Sequence, residues 1–421
     1  MRALIAAGGV ALLQGLLWFA WGSPAPIYDE AGYLAGGEAV ARLVRCSLGL
    51  EVGPACGAVG FTDLGRLLWH NPGWSALFVV AELLPGSAAA WIRGLNLVAG
   101  LLAGLATWAA LNGALPRRHA MGAAALVWLL PAQLYFRLTL WPVALGTALV
   151  AGALLAARRA AERPTPARQH QLGLLLLALV LVWPLALAAV PLVGLGMVRL
   201  GGRESALRTV SRVAGPALGA WVLLVLTTSL ALQVPTNGTL ASPENLALAN
   251  NPWIPRGRGS SLHAPESVRR VRFEAHQVCP QGNGLPAVRC RARVWRSLAG
   301  DTIAQAPGAA VGRAGLRILE TWRRDDYLPR HVADERTVLR RPPPPFLIDV
   351  EQVTELLVLA LLFVSAALGA RDRRVLALLA VVALCTLPVA LGVGVTRLRQ
   401  PLLPIIAVAA ALTLARYHRA P

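Results

Sequence analysis

The chain has 421 residues, of which 56% are hydrophobic and only 14% are charged. Soluble globular proteins average about 25% charged residues, so this composition excludes an ordinary soluble protein and indicates many membrane spans. The net charge of +19 comes from arginine, because the sequence contains no lysine, and many arginines stand in short clusters between apolar runs. That distribution is typical of membrane topology, and we expect no nucleic acid as a partner.

The apolar runs predict an all-α polytopic protein with about ten transmembrane helices, since a span needs about 20 apolar residues. The fifth and sixth runs leave room only for two short spans, and basic clusters on both sides require an even number of crossings. Both termini are then cytoplasmic. The ten predicted spans are Ala3–Trp21, Ala89–Leu111, Ala120–Phe136, Trp141–Ala157, Leu172–Trp183, Leu185–Val198, Val213–Leu232, Phe346–Leu368, Val375–Leu391 and Leu402–Ala415.

The loops divide the chain into three parts. Residues 1–232 form an N-terminal transmembrane module, 233–345 a small polar extracytoplasmic domain or loop, and 346–421 a C-terminal module of three spans. In the first outer loop, 22–88, the pattern of Tyr28 to Arg45 predicts an amphipathic interfacial helix. The apolar stretch Trp74 to Leu84 is too short to span and predicts a second interfacial or re-entrant helix.

Two cysteine pairs lie in the predicted outer segments, Cys46 with Cys56 and Cys279 with Cys290, while Cys385 stands alone in a span. Near neighbours in an oxidising periplasm can form disulfides. Four unpaired thiols are the alternative.

Four stretches resemble membrane glycosyltransferases of the GT-C type, in the order in which those enzymes carry them: "YDEAGYL", "HNPGWSALFVVAELLPGSAAAWIRGLNLVAGLLAGL", "ENLALANNPW" and "TRLRQPLLPIIAV". The nearest branch contains protein O-mannosyltransferases and the lipid A aminoarabinose transferase. The resemblance implies transfer of a sugar from a polyprenyl-phosphate carrier to a protein, lipid or glycan acceptor outside a bacterial cytoplasmic membrane. The carrier-linked sugar is the expected donor substrate, and no further cofactor is implied.

The acid pair that follows the first span is the candidate catalytic group. The resemblance implies that Asp29 is the catalytic carboxylate and Glu30 its orienting neighbour, and a desolvated carboxylate can take the proton of an acceptor hydroxyl. Tyr33, one turn after Asp29, can face the same side and contact substrate. The alternative is that both acids only stabilise the start of a helix.

Arginines near the last span are the candidate phosphate ligands. Arg397 and Arg399 fall on the predicted outer side, where topology disfavours positive charge, and by the resemblance they contact the carrier phosphate. Snorkelling to anionic headgroups is the alternative. His70, before Pro72, occupies a position at which the resemblance implies a phosphate or acceptor contact; simple solvation is the alternative.

The sequence also departs from the family pattern. The stretch "YFRLTLWPVAL" lacks the acid that many GT-C enzymes carry after the third span, so we expect no divalent metal site. A non-catalytic GT-C-like membrane subunit is therefore an alternative. A transporter or flippase for a lipid-linked substrate is disfavoured, because only Glu355, near the start of the eighth span, approaches the bilayer.

Overall fold

The structure is a computed structural model that describes residues 2–21, 29–52, 56, 65, 68–69, 71–200, 206–282, 284–323, 345–392 and 396–418. These residues are almost entirely helical, and no strand is found among them. The prediction that the chain is all-α is confirmed for these residues.

The described residues form a succession of α-helices connected mostly by short turns. In chain order they are α1 (Arg2–Trp21), α2 (Asp29–Ser47), α3 (Pro72–Leu83), α4 (Ala88–Leu111), α5 (Arg117–Leu129), α6 (Pro131–Phe136), α7 (Val143–Glu162), α8 (Pro166–Val182), α9 (Val190–Leu200), α10 (Ala206–Val213), α11 (Gly215–Leu232), α12 (Ser242–Ala249), α13 (Pro265–Val278), α14 (Leu285–Gln305), α15 (Pro307–Trp322), α16 (Pro345–Gly369), α17 (Arg373–Thr386) and α18 (Leu403–Tyr417). Short 3-10 helices lie at Pro184–Ala189, Ser261–His263, Leu387–Leu391 and Thr396–Leu402.

Six helical segments of the described chain are long and apolar enough to cross a membrane, so the chain is a multi-pass membrane protein. They are Ala88–Leu111, Val143–Glu162, Gly215–Leu232, Asp349–Gly369, Arg373–Leu391 and Arg397–Tyr417. Four shorter apolar helices accompany them, at Ala3–Trp18, Pro72–Leu83, Pro166–Val182 and Pro184–Arg199. Six of the ten predicted spans therefore correspond to helices that are long and apolar enough to cross a membrane.

Prolines explain why two predicted apolar regions are interrupted. The third predicted span breaks between α5 and α6, at Pro131, and α8 gives way to a 3-10 helix at Pro184. Proline has no N–H and its ring clashes with the carbonyl four residues earlier, so a helix ends before it or bends around it. The first break divides one predicted span into two short helices, and the second falls at the predicted boundary between the fifth and sixth spans.

The last helix lies at the centre of the membrane part. In the most apolar 18-residue stretch of Arg397–Tyr417, 89% of residues are buried, whereas only 17% are buried in Gly215–Leu232. Small buried residues of α18 allow the neighbouring helices to approach closely. They are Ala407, Ala409, Ala410 and Ala411. The helix α18 is thus at the core of the bundle, and α11 lies at its periphery.

The polar segment after α11 folds into the four helices α12 to α15. Its small core includes Val271, Ala275 and Trp295, and the Trp295 indole N–H donates to the Val271 carbonyl at 3.2 Å. A disulfide between Cys279 and Cys290 closes the turn between α13 and α14, with a Cα–Cα distance of 5.6 Å. This segment therefore has an apolar centre and a covalent bond of its own.

The other predicted cysteine pair is also bonded. The disulfide between Cys46 and Cys56 has a Cα–Cα distance of 5.7 Å and connects the end of α2 to Cys56. The remaining cysteine, Cys385, is buried in α17 as a free thiol.

Candidate functional site

An ion pair joins the two ends of the chain at the candidate site. Asp29 is the first residue of α2, and its Oδ2 lies 3.1 Å from Nη2 of Arg397, which belongs to the 3-10 helix before α18. The Asp29 side chain is 28% exposed and that of Arg397 is 19% exposed. The structure thus brings together a carboxylate and a guanidinium that are 368 positions apart, and leaves both partly accessible.

Trp141 fixes the position of the Arg397 side chain. The guanidinium carbon lies 3.5 Å from the centroid of the Trp141 ring, a cation–π stack that is favourable by about 0.5–2 kcal/mol. Trp141 is itself buried in the short connection between α6 and α7. The stack therefore holds the cation in one place while one of its edges faces Asp29.

The connection that carries Trp141 is held by side chains of α3 and α4. The indole N–H of Trp74 donates to the Leu140 carbonyl at 2.9 Å. Asn96 donates to the carbonyls of Thr139 and Trp141, at 2.9 and 3.0 Å. Buried backbone carbonyls outside a helix need such partners, because an unpaired one costs the free energy of a lost hydrogen bond. These contacts make a rigid support for the site.

Glu30 belongs to this support and not to the accessible part of the site. Its side chain is 2% exposed, and its Oε1 accepts a hydrogen bond of 2.6 Å from the backbone N–H of Leu140. The Arg93 guanidinium, which donates to the Leu138 carbonyl at 3.1 Å, lies within electrostatic range of the Glu30 carboxylate. The predicted role of Glu30 as an orienting neighbour of Asp29 agrees with this geometry and stays a prediction.

Tyr33 lies on the buried side of α2. Its ring stacks on Phe78 of α3 at a centroid distance of 5.6 Å, and its hydroxyl accepts a hydrogen bond from Asn71 at 3.4 Å. Burial raises the pKa of Tyr33 above its usual range, and the negative charge of Asp29 raises it further. The phenol therefore stays neutral beside the ion pair.

Arg399 has a different environment from Arg397, although the two are neighbours on one 3-10 turn. It is 3% exposed and forms an ion pair with Glu355 of α16, and its Nη1 donates to the Thr321 carbonyl at 3.0 Å. Gln400 donates to the other oxygen of Glu355 at 2.9 Å. The structure does not bring Arg399 to the Asp29 site, and its contacts tie α15, α16 and α18 together.

Two acidic residues near the start of α16 are buried inside the protein, although the sequence pattern placed only Glu355 near the bilayer. Glu351 and Glu355 are both buried and lie within the first eleven residues of this helix. A buried carboxylate in a membrane helix can mark an ion pathway. The carboxylate of Glu355 is already neutralised by Arg399, which favours a structural role for it.

The remaining sequence expectations concern His70 and metal ions. His70 lies outside the described residues. Within the described part of the chain, no group of three His, Cys, Asp or Glu residues is close enough to hold a metal ion.

Sequence reasoning missed Trp141, Arg93 and Asn96 as parts of this site. Their only sequence signals are a tryptophan before a proline at the end of an apolar run, and polar residues within the apolar run 88–111. The buried polar residues Arg93 and Asn96 are costly in a bilayer and therefore indicate a function or a specific partner.

No protein-family model, curated protein or solved structure matches this chain. The indications of its function are therefore the chemistry of Asp29, Arg397 and Trp141 and the sequence resemblance to GT-C enzymes.

Proposed function

We propose that the chain is a membrane glycosyltransferase that moves a sugar from a polyprenyl-phosphate carrier to an acceptor on the extracytoplasmic side of the membrane. The observation that carries the proposal is the pairing of Asp29 with Arg397 on Trp141. The pair combines a carboxylate that can accept a proton with a guanidinium that can bind a phosphate, at the start of α2 and beside the connection between α6 and α7.

The chemistry divides between these two side chains. An acceptor hydroxyl gives its proton to the Asp29 carboxylate while its oxygen forms a bond to the anomeric carbon of the sugar. The bond from that carbon to the carrier phosphate breaks, and the phosphate leaves with the bonding electrons. Arg397 stabilises the negative charge on the departing phosphate through charge-assisted hydrogen bonds, for which a guanidinium is well shaped.

The difference in exposure supports Asp29, in preference to Glu30, as the proposed base. A general base must come within hydrogen-bond reach of the proton that it removes. Asp29 is 28% exposed, whereas Glu30 is 2% exposed and already accepts from the Leu140 N–H. Of these two acids, only Asp29 can contact an incoming acceptor while the hydrogen bond between Glu30 and Leu140 stays intact.

The test is transfer by the purified full-length chain from a radiolabelled polyprenyl-phosphate sugar to an acceptor extract of the source membrane. Asp29→Asn removes the base at nearly constant shape and should lower the rate by ~10²–10⁴. Glu38→Gln is the matched control, because Glu38 lies on the same helix in an exposed pair with Arg42 and should leave the rate within about twofold of the parent.

An Asp29→Asn protein that retains the full transfer rate would refute the catalytic assignment. A parent chain that binds the carrier but transfers no sugar would instead support a non-catalytic carrier-binding subunit. One observation favours that second candidate: the stretch "YFRLTLWPVAL" lacks the acid that many GT-C enzymes carry at this point.

The proposal includes a topology of about ten crossings in a bacterial cytoplasmic membrane, with both termini inside and residues 233–345 outside. It is supported by the arginine clusters, which belong on the cytoplasmic side. Reporter fusions after Arg118 and after Pro265 should report inside and outside, respectively. The reverse result would place Asp29 on the wrong side of the membrane for a polyprenyl-linked donor that is used outside.

A further inference from the structure

Three arginines form a row on one face of α14, outside the site described above. Arg289, Arg293 and Arg296 are spaced four and three positions apart, which places their side chains one above another on a helix. The first is partly buried and the other two are exposed. We call these three residues the α14 arginine row.

Each member of the row donates a hydrogen bond to the segment at the end of α11. Arg289 donates to the Ala231 carbonyl at 2.7 Å, and Arg296 donates to the Pro235 carbonyl at 3.0 Å. Arg293 donates to the side-chain oxygen of Gln233. Since α11 is one of the six segments able to cross the membrane, its end marks the depth of the lipid headgroups.

The surface next to the row faces lipid. Only 17% of α11 is buried within the protein, and Leu226 and Leu230 near its end are 55% and 75% exposed. In a bilayer this apolar face is covered by acyl chains, and the headgroups of the same lipids lie at the level of the row. The arginines therefore stand directly above a lipid-covered face.

The charge of the row is not balanced by the described part of the protein. None of its three residues forms an ion pair with a described carboxylate, whereas Arg272 and Arg269 on the adjacent α13 pair with Glu244 and Glu266. A guanidinium has five N–H donors, and the contacts to α11 use one in each arginine. Donors and positive charge thus remain available in a fixed arrangement.

We propose that the α14 arginine row binds the phosphate of anionic lipids at the membrane surface from which residues 233–323 emerge. A guanidinium can donate two parallel hydrogen bonds to two oxygens of one phosphate. Each basic side chain near an anionic membrane surface strengthens binding about fivefold. The lipid would hold the polar helical segment against the bilayer through α14. This site is independent of the Asp29 chemistry.

The test uses the full-length chain in a neutral detergent, titrated with short-chain phosphatidylglycerol, with short-chain phosphatidylcholine and with inorganic phosphate, and followed by native mass spectrometry. The parent should bind phosphatidylglycerol in preference to the other two. Arg293→Gln/Arg296→Gln should weaken this binding about thirtyfold, and the corresponding double substitution to lysine should restore most of it because the charge returns.

The matched control is Arg269→Gln/Arg270→Gln, which removes the same charge from α13, and it should keep the parent affinity. Equal binding of both lipids, equal loss in the two glutamine variants, or no loss in the α14 variant would overturn the proposal. Binding of inorganic phosphate as tight as that of phosphatidylglycerol would overturn the assignment to lipid. An unchanged far-UV circular dichroism spectrum and melting temperature in each variant show that a loss of binding is not a loss of fold.

Discussion

The buried ion pair between Arg399 and Glu355 makes the sharpest prediction about stability. The two side chains are 3% and 2% exposed, so Arg399→Met leaves a buried carboxylate without its cation. Breaking such a pair from one side costs about 3–5 kcal/mol, and the lost hydrogen bond to the Thr321 carbonyl is part of that penalty. We expect Arg399→Met to lower the free energy of unfolding by about 4 kcal/mol.

Arg397→Met provides a control two positions away. Its ion pair with Asp29 is partly solvated, with exposures of 19% and 28%, and such pairs contribute about 0.2–1 kcal/mol. The stack on Trp141 adds about 0.5–1 kcal/mol. This substitution should therefore cost about 1–2 kcal/mol in stability, while it removes the cation that the proposed reaction requires.

The assay is unfolding in detergent followed by tryptophan fluorescence, applied to both single variants and to Glu355→Met/Arg399→Met. Replacing a whole buried pair by apolar residues is often neutral or stabilising, so the double variant should be more stable than Arg399→Met. If Arg399→Met is no less stable than Arg397→Met, or if the double variant loses the sum of the single effects, the reasoning from burial is wrong.

Two further predictions concern packing and the disulfides. At Gly37 an added Cβ would lie 2.6 Å from Cβ of Phe78, so Gly37→Ala should separate α2 from α3 and cost about 1–3 kcal/mol, measured by thermal unfolding. Gly32→Ala, with no atom within 4 Å of its added Cβ, should be neutral or slightly stabilising, and equal effects would contradict this. Maleimide applied to the denatured, unreduced protein should label only Cys385, and labelling of other cysteines would show open disulfides.

The sequence alone determined the class of the protein and most of its local structure. Apolar runs separated by arginine clusters predicted a helical membrane protein, because the bilayer requires long stretches without charge. The pattern after the first run predicted the helix that became Asp29–Ser47, and the apolar stretch before Pro85 predicted the short helix Pro72–Leu83. These features depend on residues within a few turns of one another, and sequence spacing contains that information.

Only the tertiary structure distinguished residues of the same type that are close together in the sequence. Asp29 is partly exposed while Glu30 is buried against Leu140, and Arg397 is partly exposed while Arg399 is buried against Glu355. Neighbouring positions on a helical turn point in different directions, and their partners lie 44 to 368 positions away. Which side chain becomes accessible to a substrate and which becomes part of the core is decided by those distant contacts, because burial without a partner is too costly for a charged group.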